Sequence, residues 1–257
     1  MKMNYPQPIH LAATTSTNTT LDELCNRQQM PELSCVFTNY QSAGRGQRGN
    51  SWESEDGANL LFSVVFFPDF LPANKQFRLS QVNALALQET LSQYTGDITV
   101  KWPNDIYWKD QKLCGTLIEN DLTGMNLSRS IAGTGVNINQ QKFVSDAPNP
   151  ISLSQITGKT YQIGTILEQI LERTAYYYDM LKQGKGEEIA QRYCDVLYRR
   201  EGFHPYRDAN GLFQASIVEI QPNGRLILED EKGNIRPYLF KEVACVLPSP
   251  QGSTLEL

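Results

Sequence analysis

Residues 60–67 read LLFSVVFF, an apolar run broken by one serine, which predicts a strand covered on both faces. Just before it, LSCVFTNYQ at 33–41 reads as another strand, and a loop rich in glycine and arginine joins the two. Upstream, Ser16, Thr17 and Asn18 precede a helix-like run containing Leu21 and Leu24, where hydroxyl and amide side chains suit an N-cap. Downstream, FRLSQVNALALQETLSQYTG at 77–96 has helical composition and length, with Gly96 as its stop signal. Three further strands follow at 98–103, 112–122 and 128–139, separated by turn-rich stretches at 104–105 and 121–126. Residues 164–199 give two helices broken at Gly184 and Gly186. Beyond residue 203 the character changes to short β-runs separated by PNG and EKGN turns. The pattern is therefore α+β: a mixed sheet flanked by helices over 1–202 and a small antiparallel β-domain over 203–257.

Composition narrows this picture mainly by exclusion. With 257 residues, 40% hydrophobic and 20% charged, the chain can bury a sizeable core and matches neither a disordered segment nor a coiled coil. No apolar run approaches the about 20 residues of a membrane helix. The start lacks a basic segment followed by a long apolar stretch, so no signal peptide is read and a cytoplasmic location is expected. The five cysteines form no C-x-x-C pair and only His10 and His204 could add imidazole, which argues against a zinc site or disulfide framework. A net charge of −5, with Arg45 and Arg48 as the one compact basic feature, argues against duplex DNA as the main partner.

The chemistry-bearing segments are spread along the first half. Gly44, Gly46 and Gly49 spell G-x-G-x-x-G, but turn residues and a second strand follow instead of the helix a Rossmann loop needs. Kinase motifs are absent, and a phosphate loop would need G-K-[ST] where this loop has GNS. What remains is a loop between strands in which glycines let the main chain approach a ligand, Arg45 and Arg48 complement phosphate or carboxylate, and Trp52 offers a stacking face. Its bland alternative is a surface hairpin with solvated arginines. V-K-W-P-N-D at 100–105 brings Lys101, able to screen a carboxylate and a phosphate together, followed by Asn104 and Asp105, which could reach Mg²⁺ or nucleotide hydroxyls. Gly115, Gly133 and Gly135 sit inside strands, where glycine weakens packing unless something must come close.

In this order, S-T-N, Q-x-x-G-R-G-x-R-G-x-x-W, K-W-P-N-D, G-x-L-x-E and G-x-G-x-N-x-N resemble the biotin–protein ligase family from about Ser16 to Asn139. The resemblance implies a class II synthetase-like catalytic domain and an SH3-like C-terminal domain. It also implies activation of biotin by MgATP as biotinyl-5′-AMP and transfer to a lysine of a biotin carboxyl carrier protein. Carried over by motif, Ser16, Thr17, Asn18, Gln41, Arg45, Gly46, Gln47, Lys101 and Gly115 would contact biotin. Arg45, Arg48, Trp52, Lys101, Asn104 and Asn137 would meet ATP or the adenylate, and Asp105 the metal. Lys101, Arg45 and Arg48 would carry the electrostatic part of catalysis. Bacterial members often have arginine where this chain has Gln47, so weaker retention of the adenylate is expected. The S-T-N motif begins 15 residues in, so no operator-binding domain is expected before it. Pairing of sheet edges would give a homodimer. A lipoate–protein ligase and a non-catalytic biotin sensor stay open as alternatives.

Overall fold

The computed structural model describes residues 5–46, 51–144 and 149–247. Its centre is a seven-stranded sheet built from β1 (Ile9–Thr14), β2 (Cys35–Gln41), β3 (Leu60–Phe66), β4 (Ile98–Lys101), β5 (Asp105–Trp108), β6 (Gln111–Thr123) and β7 (Asn126–Val136). The strand order is β1-β2-β3-β7-β6-β5-β4. β1 and β2 run parallel and every other neighbouring pair is antiparallel.

Alternation along the strands separates two faces. Leu60, Phe62, Val64 and Phe66 of β3 point to one side with Ala132 and Val136 of β7 and Cys114 of β6. That side is covered by α2 (Phe77–Leu91), α4 (Ile163–Lys182) and α5 (Gly186–Asp195), whose leucines, isoleucines and tyrosines complete the main core. Each such side chain removed from water contributes about 1.5–3 kcal/mol, so this face holds the sheet's shape. The opposite face carries Val36, Val65 and Ile131 beneath Leu21 of α1 (Thr17–Arg27). A short helix, α3 (Leu153–Thr157), is fixed by a capping box between Ser152 and Gln155.

A second sheet, in the order β11-β10-β9-β8-β12, follows residue 203. It comprises β8 (His204–Asp208), β9 (Gly211–Ile220), β10 (Leu226–Asp230), β11 (Ile235–Tyr238) and β12 (Ala244–Cys245), all antiparallel. Trp102 ties it to the first sheet: its indole Nε1 donates to the Gly224 carbonyl at 3.0 Å, and its ring lies 5.9 Å from that of Phe240. Gly224, at φ +87°, also leaves room for Phe77, because a Cβ there would fall 2.7 Å from the ring.

Three local features differ from the sequence reading. Residues 9–14 form an edge strand whose half-exposed pattern gives no clean alternation. The strand read over 98–103 stops at Lys101, and Trp102 to Asn104 make the turn of a tight hairpin. Asp105 therefore starts β5 opposite Lys101 instead of closing a turn. Finally, Ser16 occupies the N-cap of α1 but makes no capping bond with its side chain. Gln41 substitutes for it: its Oε1 accepts from the Thr17 N–H at 2.7 Å and from the Thr17 hydroxyl at 3.2 Å.

Candidate active site

The sheet face under α1 is organised in rows across β3, β7 and β6. Val65, Ile131 and Glu119 form one row, Ser63, Gly133 and Leu117 the next, and Leu61, Gly135 and Gly115 the third. The first row packs under α1. The second has a glycine at its centre because Asn18 lies directly above it: a Cβ on Gly133 would sit 2.1 Å from Asn18 Oδ1. The third has two glycines because the Trp52 indole lies across them. A Cβ would fall 2.3 Å from the ring at Gly135 and 2.9 Å at Gly115. The strand glycines thus create depth for two side chains arriving from elsewhere. Gly115, expected to leave room for biotin, leaves it here for Trp52.

Above these rows opens a cleft of about 750 Å³. It brings together Ser16, Thr17, Asn18, Gln41, Arg45, Gly46, Trp52, Lys101, Asn104, Asp105, Gly115 and Asn137, drawn from segments far apart in sequence. Gln47 and Arg48 lie outside the described residues.

At the α1 end the cleft is polar and its charges are paired. Ser63 Oγ lies 2.6 Å from Asn18 Oδ1 and 2.7 Å from Thr17 Oγ1. The Asn18 carbonyl can only accept, so the Ser63 proton points to it. Asn18 Nδ2 donates to Glu119 Oε2 at 2.7 Å. The Arg45 guanidinium reaches the same carboxylate with two bonds, 3.0 Å to Oε1 and 2.9 Å to Oε2. The neck of the loop is closed by a bond from Trp52 N to Gly44 O and by the bridge between Arg45 and Ser51. Glu53 and the buried pair Asn59 and Gln140 anchor the segment after it, with Val144 N donating to Glu53 at 2.9 Å and Ile138 N to Asn59 at 2.9 Å.

At the other end the cleft is cationic. Lys101 Nζ stands 5.1 Å from the centre of the Tyr107 ring, and Lys112 Nζ pairs with Asp105 at 2.8 Å while facing Trp52 at 5.8 Å. Burial pushes the Lys101 ammonium below the ordinary lysine value; Asp105 and Cys245 oppose this, and the cations of Lys112 and Arg199 add to it. Asn104 and Asn137 hold the frame: Asn104 Nδ2 donates to the Thr116 carbonyl at 3.0 Å and Asn137 Nδ2 to that of Ile151 at 3.2 Å. The Trp52 indole N–H, buried between the two ends, has no hydrogen-bond partner among the described residues. Phe240 and Lys241 bring the second sheet to the rim.

Sequence reasoning missed Ser63, Lys112, Tyr107 and the two rim residues as contributors. A lone hydroxyl inside LLFSVVFF was the available signal for Ser63. Lys112 and Tyr107 carried none, because only the β4–β5–β6 hairpins bring them beside Lys101.

A cleft with a hydrogen-bonding end of no net charge, a central indole and a lysine-lined end suits a small acid bearing a polar head. Residues 11–137 match the biotin/lipoate A/B protein ligase family, so the chain carries a domain of that family. Over 247 residues the chain is 29% identical to the bifunctional ligase/repressor BirA of Bacillus subtilis, covering 87% of this chain and 70% of that protein. It is 35% identical over 134 residues to the biotin–[acetyl-CoA-carboxylase] ligase of Paracoccus denitrificans, covering 50% of this chain and 53% of that one. The fold is shared with the biotin protein ligase of Aquifex aeolicus solved with biotin and ATP, at a TM-score of 0.78 and 24% identity over 95% of this chain and 100% of that one. Among the described residues no helix is long and apolar enough to cross a membrane.

Proposed function

We propose that this protein is an ATP-dependent biotin–protein ligase, which joins biotin to a lysine of a biotin carboxyl carrier domain. The observation that carries the reading is the chemical gradient of the cleft. Biotin's ureido ring offers two N–H donors and a carbonyl, matching Asn18, Thr17, Ser16 and Gln41; its valerate chain would run along Trp52 to a carboxylate beside Lys101. Lipoate has no such polar head. Bound here, it would displace water from this polar end of the cleft without returning hydrogen bonds, which disfavours it.

In the first step a biotin carboxylate oxygen attacks the α-phosphorus of ATP. The bond from that phosphorus to the bridging oxygen breaks, and pyrophosphate leaves. Two anions must approach, so the residues act by placement and by charge: Lys101 at the carboxylate with Lys112 as its neighbouring cation, and Arg45, paired with Glu119, at the α1 end. In the second step an acceptor lysine attacks the carbonyl carbon of biotinyl-5′-AMP, AMP departs with the electron pair of the broken C–O bond, and the amine loses a proton. Trp52 would support the adenine, and its free indole N–H would meet a ligand acceptor. Arg48 is assigned to the adenylate and Gln47 to biotin, and Asn137 and Asn104 would border the nucleotide.

No group of three His, Cys, Asp or Glu side chains able to hold a metal occurs among the described residues. This fits a Mg²⁺ that arrives on the phosphates of ATP with its waters and takes one protein carboxylate, for which Asp105 is the candidate. The ion would offset phosphate charge. Pyrophosphate release with MgATP tests the reading: it should require biotin and fail with lipoate. Release with lipoate alone would turn the assignment to a lipoate ligase, and no release with either would leave a sensor.

A further inference from the structure

Glu119 is absent from the set of residues that the reaction itself demands, yet its one carboxylate is where two distant parts of the site meet. Asn18, at the start of α1, donates to Oε2; Arg45, at the start of the glycine loop, donates to both oxygens. Glu119 also ends the row that continues under α1, so β6 places it at a fixed height beside Asn18. An ionised carboxylate accepts and never donates. It therefore forces the Asn18 amide to turn its NH₂ toward β6 and its carbonyl toward Ser63 and Gly133.

We propose that Glu119 is a positioning residue of the ligase, setting the orientation of Asn18 for the ureido end of biotin and tethering the loop at Arg45 to that same end of the cleft. The inference rests on the biotin reading above. It links two contacts at the same end of the cleft: Arg45 is held where the polar head binds, so a ligand that keeps Asn18 in place also favours the Arg45 pair. Without the carboxylate, Asn18 can present either face of its amide, and Arg45 keeps only a long bond to the Thr19 hydroxyl at 3.5 Å. Because Arg45 and Glu119 are each nearly half exposed, at 46% and 43%, the pair is modest in strength and acts by geometry more than by energy.

The test is Glu119→Gln, a change of shape so small that the strand should persist. Its biotin KM should rise about three- to tenfold while kcat at saturating biotin stays within about twofold. Arg45→Gln, which keeps the bond between Glu119 and Asn18, should raise KM by less. A second readout needs no ligand. Trypsin must draw an arginine side chain into its own acidic pocket, so its cut after Arg45, followed by mass spectrometry, should be severalfold faster in Glu119→Gln than in wild type. An unchanged KM with unchanged cleavage would overturn the proposal. So would a lowered KM, which would make Glu119 a competitor for Arg45, or a loss of kcat and folding stability at constant KM. If wild type fails to use biotin, the function is wrong, and the cleavage comparison still decides whether Glu119 tethers the loop.

Discussion

The hollow above Gly133 permits a sharp perturbation. Gly133→Ala adds a carbon 2.1 Å from Asn18 Oδ1 and 2.7 Å from its Cγ, closer than any non-bonded contact allows. The strand backbone cannot yield, because Gly133 is paired on both sides, with Ser63 and with Leu117. Asn18 must therefore swing out and lose its bonds to Ser63 and Glu119. One neutral and one charge-assisted bond together are worth about 2–4 kcal/mol. Alanine is favoured over glycine in an extended strand by about 0.5–1 kcal/mol, which offsets part of this. The net cost is about 1–3 kcal/mol, a fall in melting temperature of about 2–12 °C. Biotin affinity should drop about ten- to a hundredfold, since the Asn18 side chain assigned to the ureido end is displaced. The decisive comparison uses Asn18→Ala. With the obstructing side chain gone, Gly133→Ala should stabilise that background by about 0.5–1 kcal/mol, so the same substitution changes sign between backgrounds. Thermal unfolding and calorimetric biotin binding on the four proteins measure the cycle. An equal effect in both backgrounds would refute the geometry of this row.

Other consequences concern the cationic end and the second sheet. Burial lowers the Lys101 pKa, so between that lowered value and the ordinary lysine value the unfolded chain binds one proton more than the folded protein. Ligand-free stability should rise with pH through this window while biotin affinity falls as the cation is lost; Lys101→Met should abolish both trends, and a flat wild-type affinity up to about pH 10 would contradict them. Lys112→Met removes the partner of Asp105, and the KM for MgATP should rise about tenfold with the biotin KM within about twofold; equal shifts in both would place Lys112 elsewhere in the mechanism. Trp102→Phe deletes the bond to the Gly224 carbonyl, costing about 1 kcal/mol. Amide exchange in 204–245 should quicken, and unchanged exchange would show that this bond does not hold the second sheet.

The frame was legible where local chemistry is strong. The apolar run at 60–67, the Gly-Asn turns after residue 203 and the helix breaks at Gly184 and Gly186 each correspond to an element or a boundary in the structure. β1 was not, because an edge strand with half-exposed faces lacks the alternation that marks strands. Asp105 looked like a turn residue because three residues, Trp102 to Asn104, suffice to reverse the chain, and only pairing with Lys101 reveals the strand. The strand glycines pointed to a close approach, but what approaches was hidden: Asn18 lies 115 positions from Gly133 in sequence and Trp52 83 from Gly135, and no local pattern records such pairs. Lys112 and Glu119 are of the same kind. Their partners, Asp105 on one side and Asn18 with Arg45 on the other, are set by strand order and register.

The central claim is that this one cleft both activates biotin and delivers it to protein. The most direct test is intact-mass measurement of a biotin carboxyl carrier domain after incubation with the protein, biotin and MgATP. The account predicts one biotinyl addition at one lysine, lost when that lysine is replaced by arginine and absent without ATP. An unmodified acceptor, from folded protein that still releases pyrophosphate with biotin, would contradict it.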